Sequence, residues 1–305
     1  MRPDGRSNKS TLRPLAAELS CLHRADGSAK FSSGQTSVLA AVYGPASATR
    51  ECSNNSAVIC VVFKHGNKQS QSSSYGASSS AAPGSGSGSG SSNSAGYFTK
   101  ERELEHMFAR SLSACILTSK YPRTVIEVVL QVLKADGSVV GVAFNAAVMA
   151  LLDAGIAMNY VPIATTSLVS NLAVVTLDPT SEEETKKHLN HSSDNAASIV
   201  LLVTRTDPAN HNNNKEHISG AVVASMTTPI PSTSRRTAAS NTSNDQTNAN
   251  AYTNNSNQLM SQQAYLACVE ASFRASKAVL EFMRLAMEQK VNREAQTLFV
   301  NTGSQ

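Results

Sequence analysis

Apolar positions along this chain recur with two different periods, and each change of period marks a change of element. Over residues 11–63 the apolar runs are short and broken by turn residues, which is the pattern of β-structure. Residues 16–24 form one such run, and Ala25-Asp26-Gly27-Ser28 reads as a hairpin turn with Gly27 at the positive-φ position. Residues 29–31 start the return strand, Gly34-Gln35-Thr36 is a second turn, and 37–43 and 57–63 are further strands. From Thr99, a helix cap, the period becomes helical, with Leu104, Met107, Phe108, Leu112, Cys115 and Ile116 on one stripe. Tyr121-Pro122-Arg123 stops that helix. Residues 125–133 are almost continuously apolar, as in a strand buried on both faces. Asp136-Gly137 is a tight turn, and a small-residue helix follows over 144–154.

The second half repeats the alternation. Residues 163–169 and 172–178 read as paired strands, 181–189 as a charged, solvent-facing segment, and 199–204 and 221–226 as two more strands. Residues 259–292 form one long helix whose apolar stripe is Leu266, Val269, Phe273, Ala278, Leu280, Met283 and Met287. Two polar stretches interrupt this order. Residues 67–96 are rich in Ser and Gly, and 229–258 in Asn, Ser and Thr. Neither carries enough apolar surface to offset its ordering entropy, so both are expected to be disordered insertions. The order of elements gives an α+β class and one domain over 1–305 with those two insertions.

Composition narrows this little further. At 305 residues the chain could hold one or two domains, and the apolar-patterned remainder suffices for one α/β domain with a sizeable core. A net charge of +4 permits nucleic-acid contact without arguing for it. The five cysteines show no C-x-x-C pair and sit mostly in apolar runs, the pattern of buried reduced thiols. The opening residues contain no apolar segment of signal-peptide type, and no apolar run approaches the roughly 18 residues that span a bilayer. The expectation is a soluble intracellular protein without membrane contact. His188 and His191 are three apart but lack a cage of Cys or carboxylate, so no metal is expected, nor any cofactor. No G-x-S-x-G elbow supports a serine triad.

An ordered set of short motifs carries more information than any of these. It comprises Arg13-Pro14-Leu15, Ala25-Asp26-Gly27-Ser28-Ala29, Gly34-Gln35-Thr36, Tyr43-Gly44-Pro45-Ala46, Tyr121-Pro122-Arg123-Thr124 and Val129-Leu130-Gln131-Val132. Asn145-Ala146-Ala147, Asp153-Ala154-Gly155 and Leu177-Asp178-Pro179-Thr180 complete it. Together these resemble the RNase PH-type 3′→5′ phosphorolytic exoribonucleases, and in particular the RNase PH-fold subunits of the eukaryotic exosome. The resemblance implies an RNase PH-like fold of the ribosomal protein S5 domain 2-like type, with β-α-β-α halves related by a pseudo-twofold axis. It implies other RNase PH-like subunits as neighbours in a heterohexameric ring, S1/KH subunits as a cap, and RNA in the channel. It also implies residence in the nucleus and nucleolus, and in the cytoplasm.

The resemblance breaks where the family's chemistry lies. Active members carry Gly-(Ser/Thr)-Arg at the turn after the central strand, and the arginine grips the attacking phosphate. Here Gly137 and Ser138 are followed by Val139 and Val140, either of which stands at the arginine position. No arginine lies nearby in sequence to replace it. Losing one charge-assisted anion contact costs about 1.5–3 kcal/mol of binding, and more in a transition state that places charge there. Asp178 sits where the family's first carboxylate region begins, but its pairing with Pro179 reads as a strand end opening a turn. The family's second carboxylate position holds Ala196-Ala197-Ser198, with Asp194 displaced. Asp136 reads as a turn residue. Lys100, Arg102 and Arg110 fall near the family's basic region and are candidate RNA contacts, against the alternative of a solvated helix face. The expectation is a ring subunit without catalytic residues. Competing readings are an active phosphate-dependent 3′→5′ exoribonuclease or nucleotidyltransferase, and a free-standing RNA-binding module.

Overall fold

A computed structural model describes residues 2–47, 55–65, 93–170, 174–186, 197–206, 220–229 and 261–302. The two predicted insertions therefore lie outside the described residues, except for 93–96 and Pro229. His188, His191, Asp194 and Cys52 also lie outside them.

The first sheet has strand order β1-β2-β3-β5-β4, from β1 (Leu15–Leu19), β2 (Gly27–Ser33), β3 (Thr36–Ser47), β4 (Val58–Lys64) and β5 (Thr124–Lys134). Neighbours run antiparallel except β4 and β5, which are parallel and joined through helix α1 (Asn93–Cys115). Parallel neighbours need such a crossover, which is why a helix intervenes here and a two-residue turn joins β2 to β3. The second sheet has order β7-β6-β8-β9 and is antiparallel throughout. Its strands are β6 (Pro162–Ser170), β7 (Val175–Leu177), β8 (Ala197–Thr206) and β9 (Gly220–Pro229). Helix α2 (Val139–Asp153) packs on β2 and β3 of the first sheet and on β6 of the second. The short helix α3 (Ser181–Lys186) follows β7, and α4 (Gln262–Thr302) packs across β6, β7, β8 and β1.

Helix α2 explains its own composition. Every residue from Gly141 to Leu151 is buried, so the helix has no solvent face to mark with charge. Alanines let two sheets approach, while Phe144, Val148, Met149 and Leu151 are 0% exposed and fill the remaining space. Complete burial of each of these larger side chains contributes about 1.5–3 kcal/mol. Phe144 meets Phe108 of α1 edge-on at 5.5 Å, and Phe108 meets Phe63 of β4 at 5.9 Å, so an aromatic chain ties three elements together. The polar residues of α2 are spent on anchoring it. Asn145 donates to the Ala164 carbonyl and accepts from the Ala164 amide, both at 2.9 Å, which fixes the helix to β6. Asp153 accepts from Ser20 Oγ at 3.0 Å and from the Ser28 amide at 2.9 Å, and forms an ion pair with Lys290 of α4.

Several local expectations change. Gly27 is not a positive-φ residue; the left-handed position of that hairpin is Ser20, with φ of 54°. Gly27 is glycine because a Cβ there would collide with the Ala150 carbonyl and the Ala154 backbone of α2. Strand β5 is not buried on both faces: Ile126, Val128, Leu130 and Val132 point into the core, while Leu133 on the other face is 53% exposed. Its outer face mixes Val125, Val129 and Leu133 with Glu127 and Gln131, and those three apolar residues blurred the alternation. Helix α1 starts at Asn93, so Thr99 lies inside it and is not its cap. Helix α2 starts at Val139, five residues earlier than its small-residue run suggested. In α4 the buried face is Ala264, Cys268, Ser272, Ala275, Ser276, Val279 and Met283, whereas Leu266 is 59% exposed and Ala278 is exposed as well. The helix packs largely through small residues; of the expected stripe, Met283 is buried and Val269, Leu280 and Met287 pack at the edge of the core. Cys115 and Cys268 are buried and Cys21 and Cys60 half-buried, all as free thiols.

Gly27→Ala should destabilise the fold by about 1–3 kcal/mol, because backbone and not a flexible side chain meets the added methyl. Denaturant melts compared with Ala29→Gly, a change of similar size in the same strand that adds no clash, measure it.

Candidate functional site

The turn between β5 and α2 gathers more charge than its own sequence holds. Gly137 has φ of +74°, a left-handed conformation that glycine adopts without strain, and Ser138 follows with φ of 53° at the N-cap position of α2, without a side-chain capping bond. Val139 and Val140 form the first helical positions, half-buried against the core, and present no charge. Asp136 is a turn residue, as expected: its amide donates to Thr36 Oγ1 at 3.1 Å.

Three arginines from the first thirteen residues of the chain reach this region, none of them close to it in sequence. Arg13 is 5% exposed. It donates through Nη2 to Asp178 Oδ1 at 2.6 Å, through Nε to Asp178 Oδ2 at 2.9 Å and through Nη1 to the Asp136 carbonyl at 2.6 Å. Ser33 Oγ adds a donor to Asp178 at 2.9 Å. Arg6 donates to the Asp178 carbonyl at 2.9 Å. Arg2 donates to the carbonyls of Leu177 and Asp178, both at 3.0 Å, and grips Glu183 of α3 at 2.7 and 2.9 Å. Asp178 thus ends β7 in a left-handed turn with φ of 49°, and its carboxylate is committed to a buried guanidinium.

The segment 181–186 does not face solvent throughout. Thr180 and Glu183 cap α3 reciprocally, the Thr180 amide donating to Glu183 Oε2 at 3.1 Å and the Glu183 amide to Thr180 Oγ1 at 3.4 Å. Glu184 turns toward α2 and accepts from the Ser138 amide at 2.9 Å. Thr-x-x-Glu in Thr180–Glu183 was the sequence signal for this arrangement, and the even charge of Ser181-Glu182-Glu183-Glu184 masked it.

These environments move the carboxyls apart. Burial alone would raise Asp178, but the hydrogen bonds and charge of Arg13 outweigh it and hold the carboxyl below its ordinary range. Glu183 is likewise held low, the Arg2 contact overriding burial. Glu184 goes the other way: burial pushes it up, and the Ser138 amide and the charge of Arg13 only partly compensate. Arg102 and Arg110 are exposed on α1 with His106 between them, one every four residues, so the three share a face. The side chain of Lys100 lies outside the described residues. Among the described residues no cluster of His, Cys, Asp and Glu could hold a metal ion, and no helix is long and apolar enough to cross a membrane.

The model of the 3′ exoribonuclease family, domain 1, known as RNase PH, matches residues 11–157. The exosome complex exonuclease RRP46 homolog of Arabidopsis thaliana is 36% identical over 187 residues, 61% of this chain and 66% of that protein, just under two thirds of its length. A putative exosome complex component RRP41 of Caenorhabditis briggsae is 30% identical over 187 residues, 60% of this chain and 69% of that protein. The crystal structure of rice Rrp46 superposes with a TM-score of 0.59 at 28% identity, covering 93% of this chain and 98% of that one. The chain belongs to the RNase PH family, and the expected fold is the one it has.

Arg13→Met should cost about 3–5 kcal/mol, because it leaves the Asp178 carboxylate buried without its counter-charge. Adding Asp178→Asn should recover part of that loss in denaturant melts. The pH dependence has two signs. Asp178 and Glu183 are depressed, so their contribution is present above the ordinary values of 3.8 and 4.5 and is lost as pH falls through the lower folded values. Glu184 is raised, so its contribution is full below 4.5 and lost as pH rises through its folded value. Glu184→Gln should therefore raise the Tm at neutral pH, and the gain should vanish near pH about 4.

Proposed function

We propose that this chain is a non-phosphorolytic subunit of an exosome core ring, supporting 3′→5′ processing and degradation of RNA, including ribosomal RNA processing and mRNA turnover. The observation that carries the proposal is the start of α2, where Val139 and Val140 stand in place of a cation and the Ser138 amide already holds a carboxylate. Phosphorolysis needs a charged grip on phosphate at that point, and an apolar first turn offers none. The ring half of the proposal draws on the relatives, whose names place them in exosome complexes. In this reading the chain completes a heterohexameric ring of RNase PH-like subunits, stands beneath S1/KH cap subunits and helps line the RNA channel. Its site of action would be the nucleus and nucleolus, with a cytoplasmic pool.

RNA contact in this reading falls to the Arg102–His106–Arg110 face of α1. The arginines are eight positions apart, about 12 Å along the helix, and each would meet a separate, non-adjacent backbone phosphate. A second reading, an active phosphate-dependent exonuclease, is favoured by the word exonuclease in the name of the Arabidopsis relative.

Purified protein incubated with oligoadenylate and inorganic phosphate should release no nucleoside diphosphate, and co-expression with RNase PH-like partners should yield a stable ring. Phosphate-dependent shortening of a 3′ end would establish the exonuclease reading; a chain that stays monomeric beside its partners would remove the ring. For the assembled ring, Arg102→Glu with Arg110→Glu should weaken RNA binding and flatten its salt dependence by roughly 1.4 in log–log slope, about 0.7 for each phosphate that is no longer neutralised.

A further inference from the structure

We propose that Glu184 is a resident anion that seals the N-terminus of α2 against external oxyanions. The proposal deepens the non-phosphorolytic reading, on which it rests, by giving that reading a second physical cause besides the missing arginine. A helix start carries partial positive charge and amides without intrahelical partners, and is filled by whatever anion reaches it. Here the chain supplies that anion. The Glu184 carboxylate accepts the Ser138 amide at 2.9 Å.

Two further contacts close the same turn. Ser138 is 5% exposed and its hydroxyl donates to the Pro179 carbonyl at 3.0 Å, so the side chain is turned into the protein. The backbone of Pro179, Thr180 and Ser181 lies directly on Gly137, where an added Cβ would collide with all three. Amide, hydroxyl and glycine face are thus all engaged by residues 179–184. That strap is itself braced, through the Thr180–Glu183 cap and through Arg2 on Glu183. The carboxylates of Asp136 and Asp178 also face Glu184, with Arg13 as the cation among them, so a second anion would enter a site already rich in negative charge. Arg13 cannot leave to receive it without exposing the buried Asp178 carboxylate.

Restoring the arginine should therefore not restore anion binding while Glu184 remains. The full chain is compared with variants carrying Val139→Arg or Val140→Arg, each alone and combined with Glu184→Ala. The probe is inorganic phosphate, and the readouts are the phosphate-dependent Tm at constant ionic strength and phosphorus-31 line broadening. The natural chain and the single arginine variants should show no shift, and at least one double variant should gain several degrees with phosphate and broaden its resonance. Equal gains in an arginine variant that retains Glu184, or phosphate binding by the natural chain, would overturn the proposal. So would folded double variants that bind nothing. Should Glu184→Ala fail to fold, Glu184→Gln, which keeps the shape and removes the charge, takes its place with the same criteria. Ring assembly is scored separately, so failure here and failure of the ring reading are distinguishable.

Discussion

The structure depends on one constraint: a helix with no solvent face must be held between two sheets. Helix α2 is buried from Gly141 to Leu151, and its packing on β2, β3 and β6 joins the sheets into one core. A helix so placed cannot be oriented by amphipathicity, because it is apolar all round. Its orientation comes instead from polar anchors along its length. Asn145 clasps the backbone of β6, Asp153 holds the β1–β2 hairpin and α4, and the turn before it is gripped by Arg13. Each anchor is a buried polar group that is costly to leave unpaired, so together they permit one arrangement.

This explains what the short motifs are. Arg13, Asn145, Asp153 and Asp178 all belong to the set that carries the family resemblance, and all four make buried or partly buried polar contacts around α2. Gly27 belongs to it because α2 passes too close for a side chain. The resemblance was thus legible because the fold's scaffold is written in specific polar residues. The site was legible only by subtraction, from valines where a cation was expected.

What could not be read were contacts spanning the chain. Arg2 and Glu183 are 181 positions apart, and no local pattern pairs them. A run of three glutamates reads as solvated surface until Thr180 is seen to cap it and Arg2 to clamp it. Much of the buried face of α4, though not Met283, escaped for a different reason. Ser272, Ser276, Ala264 and Ala275 pack because they are small, and hydrophobicity does not rank size. Strand β5 misled in the opposite direction, since Val125, Val129 and Leu133 on its outer face made a one-sided strand read as a buried one despite Glu127 and Gln131.

The ion pair between Lys290 and Asp153 has a consequence for how the chain is made. Asp153 also binds the hairpin at Ser20 and Ser28, so this clasp unites the first strands, the central helix and the last helix. The α2 core borders Val279 and Met283 of α4 as well. During synthesis, everything up to β9 leaves the ribosome before the residues that close one wall of the core exist. The nascent chain must carry an apolar helix with an unfinished covering, the kind of surface that chaperones bind. Cooperative closure of that core belongs to the moment α4 arrives, so the wall that α4 supplies is completed late.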